Sequence, residues 1–123
     1  MEVKVPAAVR TYINASNAFD ADAAMAAFAD DAVVNDTRRE FSGIVAIRAW
    51  LDREIIGDKV TMNATSTRTH HGLVTVDAVM HGNYDRTGLP DPLVLTFYFA
   101  LAGDHIAQLI IVHNQPIPDR ANG

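Results

Sequence analysis

The sequence contains no cysteine, which excludes disulfides, thiolate chemistry and cysteine-ligated zinc sites. Basic residues are few, since 10 lysines and arginines stand against 15 acidic residues and give a net charge of −5. Nucleic acids and anionic membranes bind basic surfaces, so neither is an expected partner. No uncharged stretch reaches the roughly 20 apolar residues that span a bilayer, and the first residues lack the apolar core of a signal peptide. These absences predict a cytoplasmic protein.

The composition is that of a globular protein, with 49% hydrophobic and 20% charged residues in a chain of 123. We expect one domain over residues 1–123. Apolar residues at helical spacing predict three helices, over residues 6–19, 20–31 and 44–55. Residues rich in β-branched and aromatic side chains predict strands at 32–34, 60–69, 73–84, 93–101 and 106–113. Helices followed by antiparallel strands indicate an α+β fold with the helices on one face of a curved sheet.

The boundaries of the helices follow from capping residues. Asp20 or Asp22 is expected to cap the second helix, and Ser42 the third, because short polar side chains accept hydrogen bonds from free backbone N–H groups. Residues 37–41 are interpreted as an extended or turn segment. The adjacent pair of arginines in that segment, at 38 and 39, is interpreted as a solvated turn.

Residues 93–101 are apolar on both faces of the predicted strand. Phe97 and Phe99 point one way, while Tyr98 and Ala100 point the other. Antiparallel sheets with one wetted face alternate apolar and polar residues, so we expect the second face to be covered as well. The helices cover only one face, and a partner subunit is the economical cover for the other. We predict a homodimer through the outer face of the strands at residues 73–84, 93–101 and 106–113.

One carboxylate, Asp36, follows the short apolar strand at residues 32–34. A charged group beside a buried strand costs several kcal/mol unless it is paired, and we expect no basic residue on its interior side. Desolvation disfavours the charged form of a carboxylate and makes it a better proton acceptor. Tyr12, on the first helix, supplies a phenol that can donate a hydrogen bond. A base and a donor are the minimum for chemistry beside a carbonyl group.

Three motifs give the chain a family resemblance. They are Phe-Ala-Asp-Asp-Ala-Val-Val from Phe28, Phe-Ser-Gly-Ile-x-Ala-Ile-x-x-Trp from Phe41 and Ile-Ala-Gln-Leu from Ile106. With the order of elements, they resemble the nuclear transport factor 2-like superfamily, and within it the SnoaL-like and ketosteroid-isomerase-like proteins. The resemblance covers nearly the whole chain. It implies a cone-shaped fold in which three helices and a curved, mostly antiparallel sheet enclose a pocket, and a dimer through the outer sheet face.

The resemblance also implies roles for individual residues. Asp36 falls where the isomerases have their general base, and Tyr12 falls where they have the tyrosine of the oxyanion hole. The protonated aspartate that completes the hole in those enzymes is missing, and an ungapped alignment puts Tyr98 in its place. We therefore predict Asp36, Tyr12 and Tyr98 as catalytic residues, with an oxyanion hole of two phenols.

A second group of residues is predicted to line the substrate pocket. It consists of Phe28, Trp50, His81 and His113, of which His113 falls where the isomerases have a pocket-lining tryptophan. No histidine belongs to a metal-binding spacing, and we predict no metal and no other cofactor. Strand parity alone does not set the face on which His81 and Asp77 lie.

Each candidate also has a structural interpretation. Asp36 would accept backbone N–H groups at the turn that follows it. Tyr12 would be a core aromatic residue whose hydroxyl finds a partner. Trp50 would belong to the core, and Tyr98 would be structural as readily as catalytic.

The favoured function is an acid–base enzyme, of isomerase, cyclase or eliminase type, acting on a small, largely apolar carbonyl compound. In this hypothesis Asp36 removes a proton beside the carbonyl and Tyr12 stabilises the enolate. A second hypothesis is a non-catalytic module of the same fold that binds a small apolar molecule. A third is epoxide hydrolysis, which needs several acids and an arginine in one pocket. That pattern is not visible in the sequence.

Overall fold

The computed structural model describes residues 5–114, which form three helices, a π-helical segment and six strands. In chain order these elements are α1 (Ala7–Asn17), α2 (Ala21–Ala26), β1 (Phe28–Asp36), β2 (Arg39–Ser42), α3 (Gly43–Trp50), the π-helical segment (Leu51–Ile56), β3 (Thr61–His70), β4 (Leu73–His81), β5 (Leu93–Ala102) and β6 (His105–His113).

The strands form one curved, open sheet in the order β2-β1-β6-β5-β4-β3. Neighbouring strands are antiparallel except for β1 and β6, which run parallel. The three helices pack against this sheet, and the predicted α+β fold is confirmed. Within the part of the chain that is described, no helix is long and apolar enough to cross a membrane.

The helix starts partly follow the predicted caps. Asp20 is the residue that caps α2, because its Oδ1 accepts a hydrogen bond from the Ala23 N–H at 3.1 Å. Ser42 occupies the position before α3, but its side chain does not cap the helix. The Ser42 hydroxyl instead donates to the Glu40 carboxylate at 3.2 Å. The prediction of a Ser42 cap is therefore wrong, since an acidic side chain in β2 takes the hydroxyl.

The second helix ends earlier than predicted, and the first strand is correspondingly longer. α2 ends at Ala26, and Phe28, predicted within the helix, is the first residue of β1. The Ala27 carbonyl accepts a hydrogen bond from the Ile106 N–H at 2.8 Å, so parallel pairing with β6 brings this segment into the sheet. The aspartates at 30–31 lie within a strand and not at a helix end, as tertiary pairing overrides the helical preference of the alanines.

A tight turn joins β1 to β2. Thr37 and Arg38 both have positive φ, at 47° and 80°, as the two central residues of a type I′ hairpin turn do. The Arg38 N–H donates to Asn35 Oδ1 at 3.0 Å and supports the turn. The hairpin pairs Asp36 directly with Arg39. The segment predicted as extended or turn is therefore this turn followed by β2.

The third helix changes its winding halfway along. The predicted single helix over 44–55 is α3 followed by the π-helical segment, a form of helix that often occurs at functional sites. The segment ends at Gly57, where a β-carbon would collide with the carbonyl oxygen of Arg53. Only glycine allows this close approach of backbone to backbone. The wide turn carries the Glu54 side chain toward the inner side of the sheet.

The core lies between the helices and the inner face of the sheet. Its largest fully buried side chains come from both layers: Trp50, Tyr12, Phe99, Ile47, Leu51, Ile106 and Leu109. The Asn17 side chain ties α1 to the edge strand β3, because its amide donates to the Met62 carbonyl at 2.9 Å and its oxygen accepts from the Met62 N–H at 2.8 Å. Asn17 thus occupies backbone groups that a sheet edge would otherwise expose.

The other face of the sheet carries a polar network around Asp77. The carboxylate accepts hydrogen bonds from Thr96 Oγ1 at 2.7 Å, Ser66 Oγ at 2.8 Å and Asn114 Nδ2 at 3.1 Å, and Arg68 Nη1 lies at 3.4 Å. The hydrogen bonds from Thr96 and Ser66 lower the pKa of Asp77 below its ordinary value, and the charge of Arg68 adds to the effect. Asp77 is thus a saturated structural carboxylate.

Replacing Thr96 should show how much this network contributes to the free energy of unfolding. We expect Thr96→Val to lower the free energy of unfolding at pH 7 by about 2 kcal/mol, because the isosteric change removes a hydrogen bond to a charged group. The pKa of Asp77 is lower in the folded protein than its ordinary value, so the ionised carboxylate stabilises the fold above the ordinary carboxyl pKa. This stabilisation is lost as the pH falls below that value. The effect of Thr96→Val should therefore shrink below about pH 4.

Urea unfolding followed by circular dichroism at pH 7 and pH 3 measures both values. Thr69→Val is the matched control, because Thr69 is exposed on β3. Equal losses in the two variants at pH 7, or a loss for Thr96→Val that does not change with pH, would contradict the assignment.

Candidate functional site

A cavity of about 250 Å³ lies between α1, the π-helical segment and the inner face of the sheet. The apolar part of its wall is formed by Ile55, Val60, Met62, Met80, Leu89, Leu93, Leu95, Phe97 and Ile111. The polar part is formed by Tyr12, Ser16, Asp36, Thr37, Glu54, Asp58, Thr61, Tyr84 and His113. The cavity thus combines an apolar wall with a few polar groups, as binding sites for small molecules do.

Asp36 lies in this wall at the end of β1, with 17% of its side chain exposed. The Trp50 Nε1–H donates to Asp36 Oδ2 at 3.0 Å, and Arg39 Nη2 donates to the same oxygen at 3.2 Å. Oδ1 accepts no hydrogen bond from residues 5–114. The turn interpretation, with backbone N–H groups as donors to Asp36, does not describe the site, because both donors are side chains.

Arg39 is in turn held by a second carboxylate, Glu54. Arg39 Nη1 donates to Glu54 Oε2 at 2.8 Å and Nη2 donates to Oε1 at 2.6 Å, which is the paired geometry that guanidinium and carboxylate groups favour. The hydrogen bonds with Glu54 raise the pKa of Arg39, and the charge and hydrogen bond of Asp36 add to the effect. The same contact with Arg39 lowers the pKa of Glu54.

Neither Arg39 nor Glu54 was predicted as a site residue. Arg39 was interpreted as part of a solvated turn, and it is 52% exposed, but its guanidinium also contacts Asp36. The two-residue turn between β1 and β2 is the signal that was available, because such a turn places its flanking residues opposite each other. Glu54 carried no comparable signal, since its position depends on the π-helical winding.

Tyr12 reaches the cavity from α1 and is 2% exposed. Its ring packs edge-on against Phe28, with centroids 5.5 Å apart, and lies 6.0 Å from the ring of Phe99. Burial raises the pKa of the Tyr12 hydroxyl, the hydrogen bond with Ser16 lowers it, and the negative charge of Asp36 raises it again. The phenol therefore stays protonated at neutral pH and remains a hydrogen-bond donor.

The cavity brings together part of the predicted site. Asp36, Tyr12 and His113 all line it. Trp50 and Phe28 do not, and the structure corrects their prediction as pocket walls. Trp50 is 1% exposed and holds Asp36 from the core side, whereas Phe28 supports the ring of Tyr12. Both are buried behind the residues that line the cavity.

Tyr98 and His81 lie on the face of the sheet away from the cavity. Leu95 and Phe97 line the cavity, and side chains alternate along β5, so Tyr98 points the other way. His81 likewise follows Met80, which lines the cavity, and is exposed. Both predictions are therefore wrong. An error of one residue in register moves a side chain to the opposite face, which is how an ungapped alignment misplaced Tyr98.

The charge of the wall is acidic. Asp36, Glu54 and Asp58 line the cavity, and no lysine or arginine of residues 5–114 does so. In the same part of the chain, no three histidine, aspartate or glutamate side chains are grouped so that they could hold a metal ion.

Comparison with known protein families gives a match to the chain. A family described as "SnoaL-like domain" matches residues 9–109 of the chain. No curated protein matches the chain.

Solved structures share the fold. A candidate polyketide cyclase from Sinorhizobium meliloti is 28% identical to the chain, with a TM-score of 0.78 over 87% of this chain and 94% of its own. A protein of ketosteroid isomerase-like fold from Catenulispora acidiphila, in complex with trimethylamine, is 20% identical, with a TM-score of 0.75 over 93% and 90%. A Mycobacterium tuberculosis protein in complex with estradiol-17β-hemisuccinate is 17% identical, with a TM-score of 0.73 over 89% and 93%. The last two likenesses show the fold alone.

Removing the indole donor should weaken the fold. We expect Trp50→Phe to lower the free energy of unfolding at pH 7 by about 2–3 kcal/mol, because it deletes a buried hydrogen bond to a carboxylate and some packing volume. Urea unfolding followed by circular dichroism measures the loss, and the same change made in an Asp36→Ala background should cost less, because no carboxylate is left to accept the bond. An equal loss in both backgrounds would show that Trp50 contributes packing alone.

Proposed function

The chain belongs to the SnoaL-like domain family, and from this membership we propose that its single domain is an acid–base enzyme for a small, largely apolar carbonyl compound. One observation carries the proposal. Asp36, whose Oδ1 accepts no hydrogen bond from residues 5–114, and Tyr12, with a protonated hydroxyl, line the same cavity. This is the pair that proton abstraction beside a carbonyl requires.

The proposed reaction begins with proton transfer to Asp36. Oδ1 takes a proton from the carbon beside the carbonyl group, and the electrons of that C–H bond form an enolate. The Tyr12 hydroxyl donates a hydrogen bond to the enolate oxygen and stabilises the charge that develops there. The buried phenol keeps its proton through this step, since its pKa is raised.

Three outcomes follow from one enolate. Return of the proton from Asp36 to a more distant carbon of a conjugated enolate moves a double bond. Attack of the enolate on a second carbonyl closes a ring, and loss of a group from the neighbouring carbon is an elimination. The cyclase outcome agrees with the description of the similar structure from Sinorhizobium meliloti, a candidate polyketide cyclase. The apolar part of the wall supports a largely apolar substrate.

A second candidate function is epoxide hydrolysis. The sequence showed no group of acids with an arginine in one pocket, but the structure has Asp36 and Glu54 in the cavity wall with Arg39 bonded to both. In this reaction Asp36 takes a proton from water, the water oxygen bonds to an epoxide carbon, and the C–O bond opens. The resulting alkoxide then takes a proton from a donor such as Tyr12. A binding module without chemistry is the remaining alternative.

We also propose that the protein is a homodimer through the outer face of the sheet. Tyr98 lies on that face and pairs with Thr75 of β4 and Ile110 of β6, near the middle of the sheet. Tyr98 and Ile110 are only half-buried in the single chain. These two side chains, beside the polar network of Asp77, support contact with a second copy.

The catalytic proposal is tested with Asp36→Asn. Screening β,γ-unsaturated ketones, polyketide-like compounds and epoxides should identify a substrate, and Asp36→Asn should lower kcat by about 10²–10⁴ because loss of a general base costs this much. Asp31→Asn is the matched control, because Asp31 is exposed on the same strand, and it should keep full activity. Turnover of epoxides but not of ketones would favour the second candidate. Full activity of Asp36→Asn would leave the binding module as the better description.

The assembly proposal is tested by light scattering at micromolar concentration. We expect a dimer for the natural sequence and a monomer for Tyr98→Asp, because a charge in the centre of an apolar contact is left without a partner. Val45→Asp is the control, since Val45 is 85% exposed on α3, away from the sheet face, and this variant should remain dimeric. A monomeric natural protein would contradict the proposal.

A further inference from the structure

The two donors to Asp36 contact a single oxygen. Trp50 Nε1 and Arg39 Nη2 both bond to Oδ2, from α3 and from β2. A carboxylate held at one oxygen from two directions cannot rotate freely, and its other oxygen keeps a fixed direction. In the proposed reaction, the fixed and unoccupied Oδ1 is the oxygen that accepts the proton.

Arg39 has a second effect, which opposes catalysis. A guanidinium beside a carboxylate stabilises the charged form and so makes the carboxylate a weaker base. The negative charge of Glu54 acts in the opposite sense, and its carboxylate accepts two hydrogen bonds from the same guanidinium at 2.8 Å and 2.6 Å. The bond from Arg39 to Asp36 is the longer one, at 3.2 Å. Arg39 therefore orients the carboxylate of Asp36, and Glu54 compensates the positive charge of Arg39.

We propose that Arg39 and Glu54 are a pair of positioning residues, in which Arg39 fixes Asp36 by Oδ2 while Glu54 holds the guanidinium of Arg39 and opposes its charge. The inference rests on the proposed role of Asp36 as the base. It assigns a function to two residues that touch no reacting atom in the proposed reaction. It also explains why the carboxylate of Glu54 lies in the wall of a cavity that has no cationic lining residue among residues 5–114.

Other charged and titratable groups near Asp36 must be separated from this pair. Besides Asp36 and Glu54, Tyr12 from α1, Asp58 from the loop before β3, Tyr84 from the loop after β4 and His113 from β6 line the cavity. The charge of Arg53 also acts on Glu54. Tyr12 stays protonated because its pKa is raised. Asp58→Asn, Tyr84→Phe, His113→Gln and Arg53→Gln, measured in parallel, identify the contributions of the remaining groups.

The chain contains its own reporter for the test. Trp50 is the only tryptophan, and its indole N–H donates to Asp36. The ¹H–¹⁵N signal of that N–H should therefore move when Asp36 takes up a proton. Following the signal from pH 3 to pH 8 needs no substrate, and Asp36→Asn, in which the movement should disappear, identifies the titrating group.

Two variants should shift the midpoint of this titration in opposite directions. Arg39→Gln removes the positive charge, and we expect the midpoint to rise by about 0.5–1 pH unit. Glu54→Gln leaves Arg39 uncompensated, and we expect the midpoint to fall by a similar amount. The double variant should return close to the natural protein. Arg39→Lys, which keeps the charge but loses the paired geometry, should leave the midpoint within about 0.3 pH unit.

Arg48→Gln is the matched control, because Arg48 also bridges two carboxylates, Asp22 and Asp52, outside the cavity. It should leave the midpoint unchanged. Midpoints that do not move in the Arg39 and Glu54 variants, or that move in the same direction, would overturn the proposal, as would an indole signal that does not titrate at all. If the midpoints of the Arg39 and Glu54 variants shift in opposite directions but Asp36→Asn keeps full activity, the catalytic proposal is refuted and the compensation of charge stands. The failure of one proposal is thus distinguishable from the failure of the other.

Discussion

The carboxylate of Asp36 needs hydrogen-bond partners at the edge of a buried core, and this need connects the elements of the site. Its donors come from α3 through Trp50 and from β2 through Arg39, and Arg39 is held in turn by Glu54 of the π-helical segment. A buried charge without such partners would cost several kcal/mol. The hairpin turn, the change of helical winding and the parallel pairing of β1 with β6 all serve to bring these groups together.

Two aspartates on opposite faces of the sheet show how environment separates structure from chemistry. Asp77 accepts hydrogen bonds at both oxygens from residues on two strands, β3 and β5, and from Asn114, and the bonds from the two strands lower its pKa. Asp36 is held at one oxygen and borders a cavity. A saturated carboxylate resists protonation and stabilises the fold, whereas a carboxylate held at one oxygen beside a cavity is the one that we propose accepts a proton from a bound molecule.

Most of the fold could be predicted from the sequence, because hydrophobic periodicity and turn residues report directly on helices and strands. The errors have specific causes. The alanines of α2 suggested a helix that continued past Phe28, but pairing with β6 converts that segment into a strand. The positions of Asp36 and Tyr12 could be predicted because Asp36 follows a clearly apolar strand segment and Tyr12 belongs to a helix with clear apolar spacing. Tyr98 was misplaced because the face of a strand residue changes with every single step in register.

The sequence by itself determined the α+β architecture, the helical position of Tyr12 and the placement of Asp36 at the end of an apolar strand. These are local properties, set by side-chain spacing and by the chemistry of a few residues. Tertiary structure alone decided which groups meet at the site, because Arg39 and Trp50 reach Asp36 only after the hairpin closes and α3 packs on β1, and Glu54 reaches Arg39 only through the π-helical turn. Contacts of this kind depend on the relative placement of whole elements, and no local pattern in the sequence encodes that placement.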